Sequence, residues 1–147
     1  MSIRILLADN HAAILKGVSR LIRDQEDMAV VGQTGDGHAV IDLCRRTEPD
    51  VLLMDVGMPV FNGIEATKQI HQEQPQVKII AFSTHASRRS MAKAFNAGAS
   101  TYLLKDCDYQ ELLAAIRAVA PGETYTSGEL KDDPAERDLL GKYGAKE

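Results

Sequence analysis

Apolar and polar positions along this chain alternate between two rhythms. Short, nearly continuous apolar runs appear at Ile3–Ala8, Met28–Gly32, Val51–Met54, Val77–Phe82 and Ser100–Leu104. Runs of this length, rich in Ile, Val and Leu, suit strands covered on both faces. Between them the apolar residues recur at helical spacing. The first such stripe is Ile14, Leu15, Val18, Leu21 and Ile22, and the last is Leu112, Leu113, Ile116, Val119 and Ala120. Shorter stripes lie between, at Val40, Leu43 and Cys44 and at Ile64, Thr67 and Ile70. The weakest, about Ser87 to Asn96, rests on Met91 and Phe95. Breakers fall where a change of element is needed: Glu48-Pro49-Asp50, Pro75, Gly98 as a left-handed cap, and Pro121-Gly122.

Strand starts at 3, 28, 50, 77 and 100 leave room for one crossover helix in each interval. The predicted fold is therefore α/β, a doubly wound five-stranded parallel sheet with five helices, in the flavodoxin-like order 2-1-3-4-5. The 147 residues make one domain's worth of core. The folded part is expected over 1–120. Residues 121–147, with seven acids against four bases, read as an acidic tail or linker remnant. A net charge of −4 provides no general field for nucleic acid. Cys44 and Cys107 have no paired spacing for a disulfide framework or a zinc site. No run is long enough for a membrane span, so a cytoplasmic location is expected.

The chemistry lies where the strands run out. The third strand ends in Asp55, followed by Gly57 and Pro59, and the first ends in Asp9-Asn10. In the predicted order these two strands are neighbours at the switch point, where open α/β sheets bind ligands. Ser83 and Lys105 arrive at the same edge from the fourth and fifth strands. Two carboxylates and an amide oxygen suit Mg²⁺. Lys105 offers a point charge and Ser83 a hydroxyl to phosphoryl oxygens, with Asp55 as a nucleophile forming an acyl phosphate. Taken singly, Asp9, Asn10 or Asp55 could each be only a helix cap.

The joint pattern of Asp9, Asp55, Ser83, Tyr102 and Lys105 resembles the receiver domain of two-component response regulators, the CheY-like fold. It is most similar to the NarL/FixJ (LuxR-type) group. Leu6-Leu7-Ala8-Asp9-Asn10-His11, Met54-Asp55 with Met58-Pro59, and Ala97-Gly98-Ala99-Ser100 leading into Tyr102-Leu103-Leu104-Lys105-Asp106 carry that likeness. The resemblance implies that Asp55 accepts a phosphoryl group from a histidine kinase or phosphotransfer protein. It also implies Mg²⁺ on Asp9, Asp55 and the Gly57 carbonyl, and Lys105 holding the phosphoryl. Ser83 and Tyr102 would form a switch in which the ring swings into space that Ser83 vacates, with the fourth helix shifting. Thr84 and His85 are secondary candidates. Any catalysis would be limited to the domain's own phosphorylation and dephosphorylation.

One position departs from the family pattern. Asn10 stands where a second acid is usual, which predicts weaker Mg²⁺ binding and allows an atypical receiver that signals by contact alone. The group normally carries a helix-turn-helix domain after the receiver, and the acidic tail is too short for one. Either a stand-alone receiver or part of a longer DNA-binding transcriptional regulator fits, with no direct nucleic-acid binding by this chain. A homodimer is a further expectation. A haloacid-dehalogenase-like phosphohydrolase would need an acid where Gly57 stands, and Gly35-Asp36-Gly37-His38-Ala39-Val40 lacks the third glycine of a dinucleotide loop. His11, His38, His71 and His85 show no ligand spacing and read as solvated surface. Cys44 reads as core and Cys107 as a partly exposed spectator.

Overall fold

The structure is a computed structural model that describes residues 2–56 and 62–125. Gly57, Met58 and Pro59, and the tail from residue 126 onward, lie outside the described residues. In chain order the elements are β1 (Ile3–Ala8), α1 (Ala12–Arg23), β2 (Met28–Thr34), α2 (Gly37–Thr47) and β3 (Val51–Asp55). They continue with α3 (Gly63–Glu73), β4 (Lys78–Ser83), α4 (Arg88–Ala97), β5 (Thr101–Leu104) and α5 (Tyr109–Val119). All four strand pairings are parallel, in the order β2-β1-β3-β4-β5. That is the predicted topology.

The period of two along each strand divides the core between the faces of the sheet. Ile5, Leu7, Val51, Leu53, Ile80, Phe82 and Leu103 point to one side, where Val18 and Ile22 of α1 and Leu112, Ile116 and Val119 of α5 cover them. Leu6, Ala8, Leu52, Met54 and Ile79 face the other side, under Val40 and Cys44 of α2 and Ala66 and Ile70 of α3. A third, smaller cluster on that side joins Ala81 and Tyr102 to Met91, Ala94 and Phe95 of α4. The central strand β3 is buried at every residue, including Asp55.

Local signals place most of the breaks. Glu48 takes a left-handed φ of 47° at the end of α2, directly before Pro49. Gly98 does the same after α4 with φ 116°, and a Cβ there would strike the His71 ring. His71 is thus half-buried under α4, which corrects its reading as solvated surface. Gly32 does not end the second strand. β2 runs on to Thr34 because its ladder with β1 continues past a register shift at Ile5/Leu6. Cys107 is also corrected: it is 7% exposed and packs with the α1 and α5 core.

Candidate functional site

The site is built at the switch point of the sheet. Because β1 and β3 pair in register to Ala8 opposite Met54, the next residues, Asp9 and Asp55, leave adjacent strand ends together. Both are inside the protein, Asp9 4% and Asp55 1% exposed. Lys105 joins them from the end of β5. Its backbone N–H donates to the Ser83 carbonyl at 2.7 Å, which fixes where its side chain starts. The ammonium reaches 2.9 Å from Asp9 Oδ2 and 3.0 Å from Asp55 Oδ2. It also lies 6.0 Å from the Phe82 ring centroid.

Two carboxylates at this depth repel each other and lose their hydration, so burial is tolerated only with a counter-charge. Lys105 supplies one. Two negative charges and one positive leave the site formally at −1, an excess that favours admitting a cation.

The residues after Asp9 behave differently from expectation. Asn10 is exposed. Asp9 partly fulfils the simple capping reading, since its Oδ1 accepts the His11 N–H at 2.8 Å just before α1. His11 is the N-cap residue of α1, in extended geometry. Its ring turns back into the site: Nδ1 is 3.1 Å from Asp9 Oδ1, 2.8 Å from Lys105 Nζ and 3.9 Å from Asp55 Oδ2. The reading of His11 as solvated surface holds only in part: its side chain is 40% exposed, but the Nδ1 edge faces the acids and Lys105. Motif spacing missed it because no second histidine or cysteine pairs with it. The available signal was Asp9 two positions earlier, able to hold the His11 backbone and thereby aim its ring.

Beside this group lies a second polar constellation. Ser83, fully buried at the end of β4, accepts the His85 N–H on Oγ at 3.3 Å. The Tyr102 hydroxyl donates to the His85 carbonyl at 2.9 Å. His85 thus ties both candidate switch residues to one loop. Tyr102 is itself 0% exposed, so its ring already occupies the interior. Burial raises its phenol above the ordinary pKa. A cavity of about 160 Å³ adjoins these groups, lined by Val56, Ile64, Ser83, His85, Lys93 and Tyr102 among others. Thr84 is exposed, with Oγ1 3.4 Å from His85 Nδ1.

The donor chemistry fits a divalent cation. One carboxylate oxygen each from Asp9 and Asp55 and one ring nitrogen of His11 all lie within 4.8 Å of one another. Gly63 keeps the neighbouring backbone close: a Cβ there would come 2.0 Å from the Asp55 carbonyl oxygen. Only a residue without a side chain allows α3 to begin against the end of β3. Gly57, the other expected ligand, lies outside the described residues. No helix among the described residues is long and apolar enough to cross a membrane.

Comparison with known proteins agrees with this picture. A family model described as the response regulator receiver domain matches residues 5–117. An uncharacterized transcriptional regulatory protein of Bacillus subtilis, YxjL, is 46% identical over 121 residues, covering 82% of this chain and 56% of that protein. The chain spans about half the length of the curated relatives it matches. A two-component response regulator of the LuxR family from Aurantimonas sp. SI85-9A1 superposes with a TM-score of 0.85 at 36% identity, covering 95% of this chain and 99% of that one. A CheY-like receiver domain protein from Methanospirillum hungatei shares the fold, with a TM-score of 0.75 at 24% identity over 82% of this chain and 95% of that one.

Proposed function

The chain belongs to the response regulator receiver domain family of two-component systems, in its NarL/LuxR-like branch, and from that premise we propose that Asp55 accepts a phosphoryl group from a histidine kinase or phosphotransfer protein. The observation that carries the proposal is the burial of Asp55 within 3.0 Å of the Lys105 ammonium at the switch point of the sheet. In the transfer, an Asp55 carboxylate oxygen forms a bond to phosphorus as the phosphorus–nitrogen bond of the donor histidine breaks. The electron pair returns to that imidazole. The nucleophile is already ionised, so no general base is required.

Lys105 offsets the charge that arrives, since a protein-bound phosphate carries roughly −1.5 to −2. Asp9 and Asp55 would hold Mg²⁺, with the Gly57 carbonyl and Asn10 as further candidates. The ion would neutralise phosphoryl oxygens. Together the two acids, Lys105 and a dication bring the pocket to +1, a field that favours the incoming anion.

The signal would leave through Ser83. If its hydroxyl turns to a phosphoryl oxygen, it releases the His85 N–H, and His85 also holds the Tyr102 hydroxyl through its carbonyl. Converting a 1:99 equilibrium to 99:1 requires about 5.5 kcal/mol. Two or three charge-assisted hydrogen bonds of roughly 1.5–3 kcal/mol each are enough. The output would be control of transcription within a longer regulator, through a changed surface for dimerisation or for a partner. The likeness to a transcriptional regulatory protein of Bacillus subtilis supports that choice.

Incubation with Mg²⁺ and a small phosphodonor, followed by intact mass, tests the central step. The wild-type protein should gain one phosphoryl group and Asp55→Asn none. A gain that persisted in Asp55→Asn, or none in the wild type, would reject the assignment. The second of these results would favour a receiver that acts by contact alone, the alternative that the exposed amide of Asn10 keeps open.

A further inference from the structure

We infer that the groove between α1 and the edge strand β2 is a second binding site, for an organic di- or triphosphate of the nucleotide class. It shares no lining residue with the group of Asp9, Asp55 and Lys105.

The groove has a volume of about 440 Å³, within the range of roughly 300–1,000 Å³ usual for small-molecule sites. One face of α1 forms its long wall, where Ala12, Leu15, Lys16, Ser19, Arg20 and Arg23 recur at spacings of three and four. Gln33 reaches it from β2, and Asp24 follows at the helix end. By helix rise this face is about 16 Å long, and its character changes along the way. Ala12 and Leu15 make the first part apolar. The rest is cationic: three bases against Asp24 leave the groove at +2, on a chain whose net charge is −4.

These charges are not satisfied within the fold. Elsewhere on the surface Arg45 pairs with Glu73, Arg46 with Asp42 and Arg117 with Asp27. Among the described residues the side chains of Lys16, Arg20 and Arg23 enter no ion pair or hydrogen bond, nor does that of Asp24. The macrodipole of α1 favours bases in its last turn, where Arg20 and Arg23 lie. It does not account for Lys16, about two turns before Arg23, nor for Ser19. That residue is only 3% exposed, and its Oγ has no hydrogen-bond partner. A buried hydroxyl is ordinarily satisfied, and an oxygen of a molecule seated in the groove would complete this one.

Ammonium, guanidinium and hydroxyl groups all donate to phosphate oxygens, Arg in forked pairs. Lys16 and Arg23 start about 10 Å apart along the helix, a separation that two or three linked phosphates bridge better than one. The apolar turn of Ala12 and Leu15 then receives the organic group.

The test titrates the intact chain with ADP, inorganic pyrophosphate and poly-glutamate, with EDTA present to keep divalent cations from the Asp55 pocket. Calorimetry gives the affinities, and NMR shifts of backbone and side-chain amides give the location. ADP should bind saturably below about 1 mM, moving resonances of α1 and of the Gln33 amide. Arg20 and Arg23 are exposed, so replacing both by Gln leaves the fold intact; ADP should then bind about tenfold more weakly or worse. Ser19→Ala should weaken it by about three- to tenfold. Arg45→Gln with Arg46→Gln removes the same charge away from the groove and should change the affinity by less than about twofold. Equal losses in the two double variants would reduce the effect to net charge and overturn the assignment. So would ADP shifts confined to residues around Asp55 and Lys105, the absence of saturable binding, or pyrophosphate binding as tightly as ADP. Poly-glutamate binding more tightly than ADP would also overturn it, in favour of an acidic protein partner.

Discussion

At the scale of single residues, the balance of charge in the pocket makes opposite predictions for two neighbouring substitutions. Lys105 holds its charge about 3 Å from both acids and is itself nearly buried. Its repulsion of an incoming dication is therefore poorly screened. Lys105→Met should tighten cation binding by about tenfold or more while suppressing phosphoryl transfer. Calorimetry beside a phosphorylation assay separates the two effects, and weaker cation binding in this variant would contradict the electrostatic account. Asn10→Asp also adds favourable charge, but at an exposed position where solvent and salt screen it. Its gain in Mg²⁺ affinity should be only about two- to fivefold and should shrink with added salt. Gly63 is a purely steric case. A methyl group placed 2.0 Å from the Asp55 carbonyl oxygen must displace either α3 or the end of β3. Gly63→Ala should cost about 2–4 kcal/mol in a urea titration.

At the scale of elements, α4 is the part built to move. It covers the smallest of the three core clusters among the described residues, and that cluster contains Tyr102. α5, by contrast, lies on the largest one. Elements with less buried apolar area open at lower free energy, so α4 should exchange its amide hydrogens ahead of α5. Phosphorylation, or a stable mimic of it, should alter exchange in α4 and in the loop carrying His85. In Ser83→Ala the same modification should leave α4 unchanged, since the His85 N–H then has no hydroxyl to lose. A change of equal size in that variant would remove Ser83 from the pathway. The sequence made α4 legible through its weak stripe and Ser87 just ahead of its start, where the side chain accepts the Ser90 N–H. The sheet was legible because buried parallel strands tolerate little besides Val, Ile and Leu, and acidic or polar residues at their ends stand out. His11 was not. One imidazole two residues beyond an acid has no period or partner in the sequence. Asp9 holds its backbone locally, but the ring meets Lys105, 94 residues further along the chain, a contact that only the folded sheet brings about. Cys107 and His71 were misread for a related reason: each follows or underlies a turn, where burial is set by which helix packs over it rather than by a periodic stripe.

At the scale of the whole molecule, the same close packing that positions the site should limit stability in alkali. Cys44 is fully buried in the core between α2 and the sheet, and burial, with a smaller contribution from the Glu73 charge, raises its thiol to about 11. An unfolded chain ionises that thiol near its ordinary value of about 8.5–9. Because the folded pKa is the higher of the two, the stabilising contribution is complete below about pH 9 and is lost as pH rises towards 11. A shift of this size corresponds to no more than roughly 2–3 kcal/mol. The carboxylates of Asp27 and Glu73 show the opposite dependence. Each is lowered chiefly by its hydrogen bond to Arg117 or Arg45, and each pair is at the surface. Their contribution is present above the ordinary carboxylate range and fades in acid, but solvent screening keeps it small. The alkaline side should therefore be the steeper. Urea midpoints measured at pH 8, 9.5 and 10.5 should fall progressively for wild type. Cys44→Ala should start lower, by about 1 kcal/mol for the lost packing, and should show a markedly flatter decline between pH 9 and 11. Parallel slopes for the two proteins would mean that the alkaline loss originates elsewhere, with Tyr125 the next group to test, since its phenol is raised to about 12 by partial burial and by Glu111.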